Sequence, residues 1–256
     1  MTATELETIF RFTPYIKPLI SEYLTYAYGL ADIVFCPSEY TRSLLIADGL
    51  NPAKLVVQSN GVDLTRFHKD LAHREVARKE RNLQGIVVGN VALVLARKGV
   101  EDFIWLAKQF SHTNFLWFGK MYSGILVKPL TSDHALNTTF AGYVSDTQSA
   151  YNAMDIFMFP SYEENQGMVL LEAGAVGLPL LVRDIPVYEG WLVHNENCLK
   201  AKTQEEFRTH LKALIEDESL RKRLGEQAFI VAQKNSIPVL TEHLKKTYEH
   251  LLSGGM

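Results

Sequence analysis

The chain reads as an α/β protein built on a doubly wound parallel sheet. Three observations predict this class: short apolar runs alternate with helical segments, each run ends in a turn rich in Gly, Pro, Ser or Asp, and the strand–helix unit repeats along most of the chain. Repeats of this kind need helices on both faces of one sheet.

The first thirty residues stand apart from that pattern. "IFRFTPYIKPLISEYLTYAYGL" is rich in Tyr, Phe and Ile, and its aromatic spacing fits an amphipathic helix after Pro18. Packing on a sheet edge is the plain reading of such a helix, and a surface facing a membrane or an acceptor is the alternative. Then "ADIVFCPS" reads as a strand, "EYTRSLLIADGL" as a helix and "KLVVQSNGVD" as a second strand ending in a turn, which makes a parallel pair. Gly61 in that turn is free to take a positive φ.

After a charged stretch the alternation begins again. "IVVGNVALVLA" (86–96) is a strand, "GVEDFIWLAKQF" a helix, "NFLWFG" and "TTFAGYV" strands, and "DTQSAYNAMD" a helix. "IFMFPS" (strand), "GMVLLEAGAVG" (helix) and "LPLLVRD" (strand) continue it, residues 203–233 form a helix pair, and Ser236-Ile237-Pro238 opens a last helix ending near Leu252. The chain therefore divides into the tail piece of one α/β domain, a linker near 64–84, and one complete α/β domain. Trp105, Trp117 and Trp191 read as fillers of core or edge space.

Composition bounds the function. With 256 residues, 47% of them apolar, the chain can bury a real core and is neither disordered nor fibrous. A net charge of −3 gives no overall attraction for nucleic acid. Residues 64–82 are locally basic, a solvated helix or linker face whose alternative is contact with an anionic lipid surface. Cys36 and Cys198 lie far apart, as free thiols in a reducing cytosol do, and the eight histidines show no metal-binding spacing. The start "MTATELETIF" has no basic, apolar signal pattern, and no window reaches the ~20 apolar residues of a membrane span, so any membrane contact is expected to be peripheral.

Chemistry in an open parallel sheet sits beyond the carboxyl ends of the strands, where helix N-termini point. The strand ends here carry Arg97-Lys98-Gly99, Gly119-Lys120, Gly142-Tyr143-Val144, Ser161 to Gly167, and Arg183-Asp184, which are expected to converge on one rim. Two cations at a strand end suit a diphosphate, because a leaving pyrophosphate gathers negative charge as its bond breaks. Gly167 permits close backbone approach at a helix start; a carboxylate such as Glu163 or Glu164 there reads equally as a charge partner of the helix. Glu172, among Leu170, Leu171, Ala173 and Ala175, is either on a thin polar stripe or buried with a partner.

These residues resemble a known family. The pair of acids in "EENQGMVLLE", with "RKG" at 97–99, "NGVD" at 60–63 and "AGYVSD" at 141–146, resembles the retaining GT-B glycosyltransferases of family 4. "KGVEDFIWLAKQF", "NFLWFG" and "RDIPVYEGWLVHNENCLKA" resemble the bacterial diacylglycerol glucosyl- and galactosyltransferases that build membrane glycolipids. The likeness covers nearly the whole chain from about Leu19 to Leu252.

The resemblance implies a retaining hexosyltransferase that moves glucose or galactose from a UDP-sugar to a lipid acceptor, without a metal or other cofactor, on the cytoplasmic face of a membrane. Arg97 and Lys98 match the pair that holds the donor diphosphate. Glu164 matches the carboxylate that meets the donor sugar. Gln166, Gly167 and Met168 match the backbone stretch along sugar and phosphate, Glu172 the ribose-binding carboxylate, and Gly142, Tyr143 and Val144 the loop beside the base. It also implies residues 1–63 as the remnant of an acceptor-side Rossmann-like domain, 64–84 as linker, 85–235 as the nucleotide-sugar domain, and 236–256 as a helix packing back toward the N-terminal part.

This sequence departs from the family pattern at Asn165-Gln166, where Gly-Phe or Pro-Phe is usual, and at Ala92, where glycine is common. Family members also begin with a glycine-loop strand that precedes the region represented here. The expectation is a chain that binds UDP-sugar but transfers weakly unless a missing N-terminal domain comes from another chain. A catalytically silent chain that binds nucleotide-sugar or a partner subunit is the alternative; a nucleotide-sugar oxidoreductase is a third reading, disfavoured by the lack of Gly-x-Gly-x-x-Gly at any strand–helix turn.

Overall fold

Strands buried on both faces, with a helix after most of them, leave one economical arrangement, and the computed structural model adopts it. It describes residues 13–121 and 135–253. Residues 9–12 of the aromatic stretch and residues 254–256 lie outside the described residues.

The six strands β3 (Val87–Val91), β4 (Asn114–Phe118), β5 (Thr138–Gly142), β6 (Ile156–Phe159), β7 (Leu180–Arg183) and β8 (Leu199–Ala201) form one sheet in the order β5-β4-β3-β6-β7-β8. Every pairing in it is parallel. The order reverses between β3 and β6, which is where such sheets open a crevice at their carboxyl edge.

Successive residues of a strand serve opposite cores. Val87 and Phe157 face a core with Tyr151, Met154, Leu170, Leu171 and Tyr188, whereas Val88, Ile156 and Met158 face one built on Phe103, Trp117, Phe207 and Leu211. The first core is closed by α5 (Thr147–Asn152), α6 (Met168–Ala175) and α8 (Glu218–Lys234), and the second by α4 (Val100–Gln109) and α7 (Gln204–Glu216).

A smaller unit precedes this sheet. β1 (Val34–Cys36) and β2 (Leu55–Val57) pair in parallel across α2 (Glu39–Ala47), whose start is capped by Ser38 accepting from Thr41 N at 3.1 Å. An isolated parallel bridge at Val62 and Ser236 connects the units: Val62 N donates to Asn235 O at 2.9 Å and Ile237 N to Val62 O at 3.0 Å. The last helix, α9 (Ile237–Leu252), then returns to the small unit, where the Tyr248 and Phe35 rings meet edge-on at 6.0 Å.

Several elements differ from the sequence reading, each for a physical reason. The first helix, α1 (Thr13–Gly29), runs through Pro18 rather than starting after it. The long strand expected at 86–96 stops at Val91, because the chain beyond it bends into a 3-10 turn at Ala96–Lys98. Residues 64–84, read as a solvated helix or linker face, do hold a helix, α3 (Leu71–Glu80), but it is tied down by Arg74 and Arg78, which both grip Asp155 (2.6 and 3.0 Å). Strand β8 has only three residues, too few for a period to show in the sequence. Among the described residues no helix is long and apolar enough to cross a membrane.

Candidate active site

The tips of β3 and β6 are drawn together by a glycine. Gly99 has φ of 76° and ψ of 26°, and a Cβ on it would fall 2.2 Å from the Pro160 carbonyl oxygen. Only a residue without a side chain lets the two exits pass so closely. Hydrogen bonds then lock them: Tyr162 N donates to Arg97 O at 2.8 Å, and the Ser161 hydroxyl lies 3.3 Å from Arg97 O and 3.1 Å from Glu163 O.

Both predicted cations are engaged by the β6 loop. Arg97 Nη1 donates to Glu163 O at 3.2 Å. The Lys98 ammonium forms an ion pair with Glu164 and lies 5.5 Å from the centre of the Phe159 ring. The Lys98 and Glu164 side chains are only 13% and 10% exposed, so this pair is shielded from water and from screening by salt. A ligand phosphate offers Lys98 the same charge-assisted bond that Glu164 offers it here.

Gly167 opens α6 with φ of 86° and ψ of 61°, and no side chain caps the helix. Its first N–H groups and the positive end of its dipole therefore stand at the switch point. Met168, the first residue of that helix, is half exposed.

Glu172 lies further along α6 and is largely buried. Its Oε2 accepts from the Tyr151 hydroxyl at 2.5 Å, the partner that a buried carboxylate requires. Burial pushes the Glu172 carboxyl above its ordinary pKa, opposed by the Tyr151 bond and by the charge of Arg66. Tyr151 is driven well above the usual phenol range by burial and by Glu172, which keeps it a donor.

The remaining predicted residues fall in different places. Gln166 is buried and turned toward the small unit: its Oε1 accepts from Asn60 N (3.0 Å) and Asn60 Nδ2 (2.8 Å), and its Nε2 bonds Ser59. Gly142, Tyr143 and Val144 stand at the end of edge strand β5, with Gly142 at φ of 72°, Tyr143 exposed and Val144 packed on the first core. Arg183 does not join the rim as expected. It is buried on Asp102 beneath it, with Nε on Pro160 O and Nη1 on Lys202 O, both at 3.0 Å. Tyr162 covers its guanidinium at 3.8 Å and donates to Asp102 at 2.7 Å. A cation at a strand end that reads as ligand-facing is thus spent on holding the β6 loop. Tyr188, just after β7, is fully buried.

Sequence reasoning missed Tyr151, Asp102 and Arg66. For Tyr151 the signal was indirect: a carboxylate in an apolar helix demands a partner, but nothing in the order of residues says which. Asp102 reads as an ordinary acid in the first turn of a helix.

Residues 73–230 match the family model described as glycosyl transferases group 1, and residues 8–66 match that of glycosyltransferase family 4. A processive diacylglycerol alpha-glucosyltransferase of Acholeplasma laidlawii is 32% identical over 98% of this chain and 77% of its own length. An alpha-galactosylglucosyldiacylglycerol synthase of Streptococcus pneumoniae is 28% identical over 93% of this chain and 65% of its own. Among solved structures, Anabaena Alr3699/HepE in complex with UDP-glucose matches with a TM-score of 0.80 at 17% identity, over 90% of this chain and 67% of that one.

Proposed function

This chain belongs to the group 1 glycosyl transferases and has the GT-B fold, and from that premise we propose that it moves glucose or galactose from a UDP-sugar to diacylglycerol or a glycosyl-diacylglycerol, with retention of configuration. The observation that carries the reading is the meeting of Lys98 and Glu164 beside an uncapped helix start at the switch point. Names of similar proteins support the lipid acceptor: one is a diacylglycerol glucosyltransferase, another a galactosylglucosyldiacylglycerol synthase.

In this reading donor binding exchanges partners. Lys98 leaves Glu164 for a diphosphate oxygen, and Glu164 turns to the hydroxyls of the sugar. Arg97, Lys98 and the N-terminus of α6 together stabilise the charge that builds on the departing UDP, and no metal is required. Glu172, held by Tyr151, accepts the ribose hydroxyls; an ionised carboxylate has room for two such bonds beside the one it already takes. Gly142, Tyr143 and Val144 border the base, and the Gln166–Met168 backbone lies along the sugar and phosphate.

As the bond from the anomeric carbon to the phosphate oxygen breaks, the acceptor hydroxyl attacks from the same face. Its oxygen bonds the anomeric carbon and its proton passes to the leaving phosphate. The acceptor is a membrane lipid in this reading, reached by peripheral contact. Leu19, Tyr23, Tyr26 and Leu30, all exposed on or just after α1, provide an apolar and aromatic surface for it.

Isothermal titration of the chain with UDP, UDP-glucose and UDP-galactose tests the donor site. Glu172→Ala and Arg97→Ala are each expected to weaken UDP by about tenfold or more, the loss of one strong hydrogen-bonding group. Unchanged UDP binding in both variants overturns the assignment. The anomeric configuration of any lipid product, read by NMR, tests retention separately.

A further inference from the structure

A cavity of about 630 Å³ opens between the start of α2 and the turn after β7, against the segment that carries Gln166. Tyr40, Trp191, Pro186 and Val187 give it apolar and aromatic walls, and Glu39, Glu189, Ser59 and Gln166 supply polar groups. No Lys, Arg or His is among the described residues that line it. Glu39 pairs with Arg42, which lies outside the lining, at 3.9 Å, and the two carboxylates that do line the cavity disfavour a phosphate or any other anion there. What the cavity favours is a neutral molecule with hydroxyls to donate and an apolar face to stack.

A pyranose ring has those two properties: its hydroxyls suit carboxylate and amide acceptors, and its C–H face suits an aromatic ring. The volume lies within the range of about 300–1,000 Å³ usual for small-molecule sites, enough for a hexose and part of its aglycone. Trp191 is already set in place. Its Nε1 donates to Val187 O at 3.0 Å and its ring meets Tyr188 edge-on at 5.7 Å, so little freedom is lost when a sugar stacks on it.

The cavity is also continuous with the donor loop. Ser38 Oγ and Thr41 Oγ1, from the start of α2, donate to Asn165 O at 2.7 and 3.2 Å, while Ser59 and Asn60 hold Gln166. The cavity wall and the segment bearing Glu164 therefore form one hydrogen-bonded body. A second cavity, of about 580 Å³, lies at the opposite end of the strands among Arg74, Asp155, Glu218 and Lys222, and its mixed and largely paired charges single out no ligand.

We propose that the cavity beside Gln166 is the acceptor's carbohydrate subsite, holding a neutral hexose, so that the acceptor preferred is a glycosyl-diacylglycerol over bare diacylglycerol. This rests on the transferase reading above. Saturation-transfer NMR with methyl α-glucoside on the full chain tests it, alongside a UDP titration of the same samples. The wild-type chain gives a glucoside signal; Trp191→Ala weakens glucoside binding about tenfold and Glu189→Gln about threefold, with UDP affinity kept in both. Absence of the glucoside signal in the wild type, or the same signal in both variants, overturns the proposal. If glucoside binding fails while UDP binds, the cavity is wrong and the donor site is spared; if UDP fails while the glucoside signal responds to both variants, the reverse holds.

Discussion

The helices that leave the carboxyl rim of the large sheet start in two different ways. α4 and α6, which follow the central strands β3 and β6, are opened by Gly99 and Gly167 at positive φ, with no capping side chain. α5 and α7, which follow the edge strands β5 and β8, are capped by Asp146 and Thr203, the latter in a reciprocal capping box with Glu206. A cap satisfies the free N–H groups of a helix start from within the chain; a glycine leaves them for something else. The difference separates helix starts whose first N–H groups are met by a side chain from those at the centre of the rim whose first N–H groups are not.

The most damaging way to break that contrast is to put a side chain at the centre. A methyl at Gly99 meets the Pro160 carbonyl oxygen and must adopt a φ of 76°. Gly99→Ala is therefore expected to lower stability by about 2–4 kcal/mol, from left-handed strain plus overpacking. Urea unfolding measures it, and a loss below about 1 kcal/mol would mean that the two strand tips are not in such close contact.

A smaller effect is expected at the flank. Asp146→Ala removes the cap of α5, in which Oδ1 accepts from Ser149 N at 3.2 Å, and costs about 1 kcal/mol. UDP affinity should stay within about twofold, a few tenths of a kcal/mol. A large fall in affinity would erase the distinction between centre and flank.

The smallest effect is one of pH and concerns Glu172, inside the central helix α6. Burial raises its folded pKa above the unfolded value, so the stability it contributes is full below the unfolded pKa and is lost as pH rises through the folded one. Glu172→Gln has no such loss. The variant should gain stability relative to the wild-type chain as pH is raised from about 4 to about 7, a window set by the ordinary carboxylate pKa and the direction of the shift. A difference that stays constant across that window would show that the carboxyl is not desolvated.

Much of this architecture is legible in the order of residues. The strands of the central sheet are apolar on both faces, so they appear as short uninterrupted runs, and the glycines and prolines that end them mark the turns. Arg97, Lys98 and Glu164 could be singled out because they follow such runs, where the chain must cross the rim. The same rule misplaced Arg183. It too follows an apolar run, but its position beside Asp102, 81 residues earlier in the chain, makes it a buried support for the β6 loop. β8 escaped notice because three residues carry no period, and α1 was given too late a start because a proline inside a helix reads as its beginning.

By itself the sequence determined what depends on neighbours within a few residues: which runs form strands, where most of the helices lie, and that Glu172 would need a partner if buried. Only the tertiary structure decided which groups meet across long separations: Tyr151 with Glu172, Lys98 with Glu164, Arg183 with Asp102, and Gln166 with the turn at Asn60. The physical reason is range. Backbone sterics and capping act over one turn of chain, whereas the partner of a buried charge is set by strand order, which brings β3 beside β6 although α4, β4, β5 and α5 lie between them in sequence.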